Sequence, residues 1–376
     1  MSIPIQQYIK AKIQQRHSEN NIRSLKVIKG LTDFYSNDYL GFARDEELKW
    51  RVELETKSAE EYFLGSTGSR LLSGNSEYAE SVEWFLAEFY NAESALIFNS
   101  GFDANYGVLS SLPYRGDTII YDKMVHASIH DGIRNSRAGS TGFAHNDITD
   151  LEKKLAAAKG LKYVVIESVY SMDGDFAPLK EIAALCEKYD AGLIVDEAHA
   201  VGICGDKGRG VVADLKLEDK CLVRINTFGK ALGAHGAVML CSEDLKVFMI
   251  NYCRPFIFST ALPFHSLATI KCAHRFLLEA DSRRKDLFAL VDIFQQQFIG
   301  GTRFKLSGGK SPIQSLIVQG NEQAKQIAFN IQQAGFDVRA ILYPTVAKGT
   351  ERIRICIHSF NTQQEVIKLA EVINSL

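Results

Sequence analysis

The chain has 376 residues, 46% of them hydrophobic and 23% charged. That suits a globular protein with a sizeable core, divided at about 100–200 residues per domain into two domains. A formal net charge of −2 offers no overall basic field for nucleic acid or an anionic membrane. The seven cysteines are scattered, with no C-x-x-C pair, which argues against a disulfide framework and against a thiolate metal site. Residues 1–21 lack an apolar core of signal-peptide length, and no stretch reaches 18 uninterrupted apolar residues. A soluble, cytoplasmic protein with no bound metal is expected.

Residues 1–20 read as a polar helix within an N-terminal segment, 1–40. In a large domain, 41–264, short apolar runs at 94–98, 118–121, 162–166, 192–196, 221–226 and 236–241 read as strands. Helical periods lie between them. Over 77–90, Val82, Phe85, Leu86 and Phe89 recur at three- and four-residue spacing. Over 178–189, Pro178 stands near the first turn, where its missing N–H costs little. Alternation of this kind predicts an α/β fold with a mostly parallel sheet covered on both faces. A smaller C-terminal α/β domain, 265–376, is expected to start with long helices over 265–299. Strands at 313–318, 336–341 and 352–358 and helices at 324–334 and 362–376 follow.

In such sheets, ligands sit beyond the carboxyl ends of the strands. The run 192–196 ends in Asp196, followed by Glu197, Ala198 and His199. The run ending near Ile225 delivers Thr227-Phe-Gly-Lys230 among glycines. Phe98 is followed by Asn99, Ser100, Gly101 and Phe102 at a probable helix start, and Ile166 by Glu167 and a turn containing Ser171. Pyridoxal 5'-phosphate would use all four ends: a lysine for its aldehyde, an acid for its pyridine nitrogen, and a helix N-terminus for its phosphate. Singly, each element is ordinary: a solvated lysine, a turn-capping Asp, a packed histidine. Together they require one explanation. A nucleotide-hydrolysis reading of Asp196-Glu-Ala-His199 fails, because Gly309-Lys-Ser311 has Phe304 where a phosphate loop needs glycine.

The stretches 36–41 (SNDYLG), 65–74 (GSTGSRLLSG), 100–105 (SGFDAN), 126–128 (HAS), 171–174 (SMDG), 196–199 (DEAH), 227–230 (TFGK) and 344–346 (PTV) resemble the α-oxoamine synthases. These are fold type I pyridoxal phosphate enzymes, and the motifs occur in family order from about residue 30 to the end. The resemblance implies a fold type I transferase and a homodimer with shared active sites, acting on small molecules. Lys230 would hold the cofactor and then act as the base on the amino acid's Cα. Asp196 would pair with the pyridine nitrogen, His199 would contact the ring hydroxyl, and His126 would stack on the ring. Ser171 and Thr227 would add polar contacts, and Ser100, Gly101 and Phe102 would offer donors to the phosphate. Ser259 or Thr260 would reach the partner's phosphate.

Arg352 and Arg354 are two apart on one strand and so share a face. Arg354 matches the family's carboxylate arginine, while Thr345 and Arg23 would meet the substrates. The segments 65–74 and 343–349 look most like the members that join L-alanine to a pimeloyl thioester (on CoA or a carrier protein) in biotin synthesis. The segments 122–132 and 253–256 are similar to members that use glycine and an acetyl thioester. One methyl separates the two amino acids, worth about 0.8 kcal/mol, so a single pocket residue would decide between them.

Overall fold

The computed structural model describes residues 3–25, 27, 29–59, 62–298 and 304–376. Two compact units emerge. The smaller comprises Met1–Ser36, Met172–Gly174 and Asp286–Leu376, and the larger comprises Asn37–Ser171 and Asp175–Lys285. The chain opens in the smaller unit with α1 (Pro4–Ser18), none of whose residues is buried, and the short strand β1 (Thr32–Asp33).

The larger unit begins with α2 (Glu46–Lys57) and α3 (Glu77–Phe89). The side chains of Asp45 and Ser76 cap them by accepting from the Leu48 and Ala79 amides. Its centre is a seven-stranded sheet: β2 (Ser94–Phe98), β3 (Thr118–Asp122), β4 (Gly139–Phe143), β5 (Lys162–Glu167), β6 (Ala191–Asp196), β7 (Cys221–Thr227) and β8 (Ala237–Cys241). The spatial order is β2-β8-β7-β6-β5-β3-β4. Every pairing is parallel except those of β8, which runs antiparallel to β2 and β7. The helices are α4 (Gly101–Ser111), α5 (Ala127–Asn135), α6 (Ile148–Ala157), α7 (Leu179–Lys188), α8 (Val211–Asp214), α9 (Glu243–Tyr252), α10 (Arg254–Phe258) and α11 (Phe264–Leu277). A sheet buried on both faces calls for continuous apolar strands. Val164, Val165 and Ile166 on β5, and Leu193, Ile194 and Val195 on β6, are all buried.

After α12 (Asp281–Gln296), the smaller unit contains β9 (Leu306–Ser307), β10 (Ile313–Ile317), α13 (Asn321–Gln333), β11 (Phe336–Asp337), β12 (Arg339–Ile341), β13 (Arg352–Cys356) and α14 (Gln363–Asn374). Its antiparallel sheet has the order β12-β13-β10-β9, while β1 and β11 form a separate parallel pair. Thr362 and Glu365 form a reciprocal capping box that starts α14. Among the described residues no helix is long and apolar enough to cross a membrane.

Six strands and a mostly parallel sheet were legible from the apolar runs, and several details differ. The edge strand β4, Gly-Ser-Thr-Gly-Phe, carries almost no hydrophobic signal because only Phe143 is buried. The single strand expected at 336–341 is two, since β11 pairs with β1 and β12 joins β13. The helical stretch expected over 265–299 breaks between α11 and α12; its last residue lies outside the described residues.

One close approach matters for the site. Gly132 on α5 faces α4, where a Cβ would stand 2.9 Å from Leu109 Cβ and 3.1 Å from Tyr106 Cα. The missing side chain lets α5, capped by His126, lie directly against the helix that carries Asn105. Gly132→Ala is expected to push the two helices apart at a cost of about 1–3 kcal/mol, read as a lower urea midpoint. An unchanged midpoint would show that the helices separate freely.

Candidate active site

The parallel strands β3, β5, β6 and β7 deliver their last residues to one edge of the larger unit's sheet, as does β2. A cavity of about 260 Å³ opens there, lined by residues that include Ser100, Gly101, Phe102, His126, Asp196, His199, Thr227 and Lys230. Asn37, Asn105, Glu167 and His235 complete its polar lining. Ligand pockets run to about 300–1,000 Å³, so the space suits one flat ring with small substituents.

Glu167 and Asp196 end neighbouring strands in register, and both are buried. Two adjacent carboxyls in such a place do not both ionise. Asp196 is the better solvated of the two. Its Oδ2 accepts from Asn105 Nδ2 at 2.7 Å and its Oδ1 from the Ala198 amide at 2.8 Å. Burial first, and then the charge of Asp196, push the Glu167 carboxyl up to about 8. Near neutral pH, Glu167 is therefore the neutral acid beside the hydrogen-bonded Asp196.

Lys230 follows β7, and its Nζ lies 2.8 Å from His199 Nε2. His199 Nδ1 lies 2.8 Å from the Tyr39 hydroxyl, which donates to Asn37 Oδ1 at 3.1 Å. All three contacts are satisfied with a protonated lysine when Lys230 donates to Nε2, Nδ1–H donates to Tyr39, and Tyr39 donates to Asn37. In that arrangement His199 is a neutral imidazole whose Nε2 accepts from the cavity side. His126 begins α5 with its Nδ1 2.8 Å from Ser128 Oγ. Burial holds it below the usual histidine value, opposed by the charge of Asp196. A neutral, flat ring results.

The other end of the cavity is an anion cradle. Ser100 caps α4 by accepting from the Asp103 amide at 3.1 Å. The first turn of the helix, with Gly101 and Phe102, faces the cavity. A Cβ on Gly101 would lie 2.2 Å from Thr227 Cγ2, so only glycine fits. Thr227 Oγ1 is buried without a hydrogen-bond partner. An unspent hydroxyl beside a helix N-terminus, with a buried anion and a lysine across the cavity, matches the donor and acceptor pattern of pyridoxal 5'-phosphate. The residues present fit that group.

The remaining expected residues do not line this cavity, although the Ser171 backbone donates to Glu167. Ser171 is buried four positions beyond the end of β5. The Thr260 carbonyl accepts from Asn99 Nδ2 at 2.7 Å, and Ser259 lines a recess with Arg70 and Phe256. In the smaller unit, Arg352 is ion-paired with Asp173, and Arg354 is buried opposite Ser315 and Arg339. Arg23 Nη2 donates to Thr345 Oγ1 at 3.1 Å, which joins two expected substrate contacts. Sequence reasoning missed Asn105, Tyr39 and the pairing of Glu167 with Asp196. Asn105 was within reach of pattern reading, being four residues after Gly101 and so on the same helix face. Tyr39 stood within the motif at 36–41, but only folding shows that it meets His199.

Residues 29–373 match the family model for aminotransferase class I and II. An 8-amino-7-oxononanoate synthase of Emericella nidulans is 41% identical over 365 residues, covering 91% of this chain and 88% of its own. Among solved structures, a serine palmitoyltransferase variant from S. paucimobilis, with pyridoxal phosphate and myriocin bound, superposes with a TM-score of 0.89. It is 27% identical and covers 100% of this chain and 98% of its own. The 8-amino-7-oxononanoate synthase of Francisella tularensis gives 0.80 at 28% identity, covering 93% and 98%. The chain belongs to the class I and II aminotransferase family, with the type I transferase fold expected from its motifs.

The raised Glu167 value has a thermodynamic consequence. An acid whose folded value is raised gives its stability below its unfolded value, here 4.5, and loses it as pH climbs through about 8. Melting temperatures taken across that window should therefore fall more steeply for the native chain than for Glu167→Gln. Parallel slopes would mean that Glu167 ionises freely.

Proposed function

We propose that this chain joins L-alanine to a pimeloyl thioester, releasing carbon dioxide and free thiol and forming 8-amino-7-oxononanoate in biotin biosynthesis. The observation that carries this reading is the meeting of Lys230, His199 and Asp196 in one cavity of a chain up to 41% identical to proteins named for that product. Bound pyridoxal 5'-phosphate supplies an aldehyde that exchanges amines and a pyridinium that draws electrons from the amino acid's Cα. The protein's own groups do the rest.

Asp196 keeps a negative charge buried for the pyridine nitrogen, while the neutral Glu167 avoids a second one. Lys230 Nζ holds the cofactor, then takes and returns the Cα proton. His199, with its proton on Nδ1, would present Nε2 to the ring hydroxyl once Lys230 is engaged, and His126 would stack on the ring. The amides of Gly101 and Phe102 serve the phosphate with Ser100 and the Thr227 hydroxyl, and Ser171 adds a polar contact. The buried positions of Asp196, Glu167 and His199 strengthen their electrostatic contacts over the value in water.

Arg354 takes the amino acid's carboxylate, and Arg23 and Thr345 meet the acyl donor. The enzyme works as a cytoplasmic homodimer in which Thr260 or Ser259 reaches the partner's phosphate. These roles follow from the family resemblance of the motifs.

The test is thiol release by cofactor-loaded protein. L-alanine with pimeloyl-CoA should outpace glycine with acetyl-CoA, and Lys230→Ala should lower turnover by about a thousand-fold or more. Preference for glycine with acetyl-CoA would keep the cofactor and Lys230 but reject the proposed product. Undiminished turnover in Lys230→Ala would reject the mechanism.

A further inference from the structure

His145 takes no part in the chemistry above, yet it is bound at both ring nitrogens. It follows β4, the edge strand that carried no sequence signal. Its Nδ1 lies 3.0 Å from each carboxylate oxygen of Asp122, and its Nε2 lies 2.8 Å from Asp175 Oδ2. Two carboxylates, one at each nitrogen, require both nitrogens to donate, and only the imidazolium does so. Burial alone would lower its affinity for a proton, but the hydrogen bonds to Asp122 and Asp175 outweigh it and lift His145 to about 10. The Tyr170 ring stands edge-on to it, 4.4 Å between centroids. Asn146, held at φ +55°, repeats the link. Its amide donates to Asp122 Oδ2 at 2.9 Å and its Nδ2 to Asp175 Oδ2 at 2.8 Å.

The two carboxylates belong to segments that the active site uses. Asp122 ends β3 and is fully buried, and its Oδ1 accepts from the Met124 amide at 2.8 Å. That contact shapes the short turn leading to His126. Asp175 closes the loop after β5, where its carbonyl accepts from the Tyr170 amide at 3.0 Å. The β5 end of this segment carries Glu167 and Ser171. A single cation therefore joins the turn that presents His126 to the segment that presents Glu167. Its two ion pairs are partly shielded from water, where such contacts keep more of their strength.

We propose that His145 is a positioning residue, whose paired contacts with Asp122 and Asp175 set the orientation of the His126 ring against the cofactor. This rests on the reading that the cavity binds pyridoxal phosphate. His145 touches neither substrate nor cofactor; its effect passes through the turn from Asp122 to His126. Small displacements of a catalytic group cost rate more than they cost binding.

The experiment compares wild-type protein and His145→Gln, both loaded with pyridoxal phosphate. It reads cofactor stoichiometry, the visible circular dichroism of the bound cofactor, melting temperature and steady-state rates with L-alanine and pimeloyl-CoA. The variant should keep its full complement of cofactor but show a weakened dichroic band. Its kcat should fall about ten- to a hundred-fold, with KM for L-alanine within about two-fold of wild type. His145→Arg, which returns a cation able to donate to both carboxylates, should recover the band and part of the rate. A wild-type band and kcat in His145→Gln overturn the proposal. So does a loss that only tracks a lower melting temperature and that His145→Arg does not recover. Should His145→Gln be insoluble, Asp175→Asn loosens one end of the same bridge and is read by the same criteria. A wild-type protein that gains no visible band with pyridoxal phosphate would instead sink the cofactor reading, and the proposal with it.

Discussion

Asp196 and Glu167 stand side by side at the ends of β6 and β5, in a space that holds one negative charge. Much of the site follows from that constraint. Asn105 and the Ala198 amide spend their hydrogen bonds on Asp196, while burial and the neighbouring carboxyl keep Glu167 neutral. A buried, localised anion is what a pyridinium needs opposite it, and two shared half-charges would serve poorly. The helix carrying Asn105 must approach closely, which ties the electrostatics to the missing side chain of Gly132 on α5.

The polar chain from Lys230 through His199 and Tyr39 to Asn37 adds a second order to the site. Each member has a defined donor or acceptor role, so the histidine tautomer is set by its neighbours. The cavity thus has three distinct regions: an anion at Asp196, an amine with its acceptor at Lys230 and His199, and a donor-rich end at α4 and Thr227. That polarity runs along one edge of a mostly parallel sheet, where the parallel strand ends can each contribute one group. The helix N-terminus after β2 supplies its partial positive charge at the same edge.

Much of this was legible in the residues. Continuous apolar runs marked six strands, because strands buried on both faces must be apolar throughout. The groups that close those runs, Asp196, Lys230 and Ser100, were visible for the same reason. The edge strand β4 was not, since a strand of glycine, serine and threonine carries no hydrophobic periodicity. Nor was the break at Val338, where one apparent strand serves two sheets.

By itself, then, the sequence determined six of the sheet's seven strands, their ends and the chemical types gathered beyond them, because burial and turn chemistry are written in local pattern. Only the tertiary structure decided that Glu167 is held neutral, what His199 meets at each ring nitrogen, and that His145 matters at all. Those properties depend on distances of about 3 Å between side chains far apart in the chain. Hydrogen bonding and charge are settled by neighbours in space, and no local pattern records them.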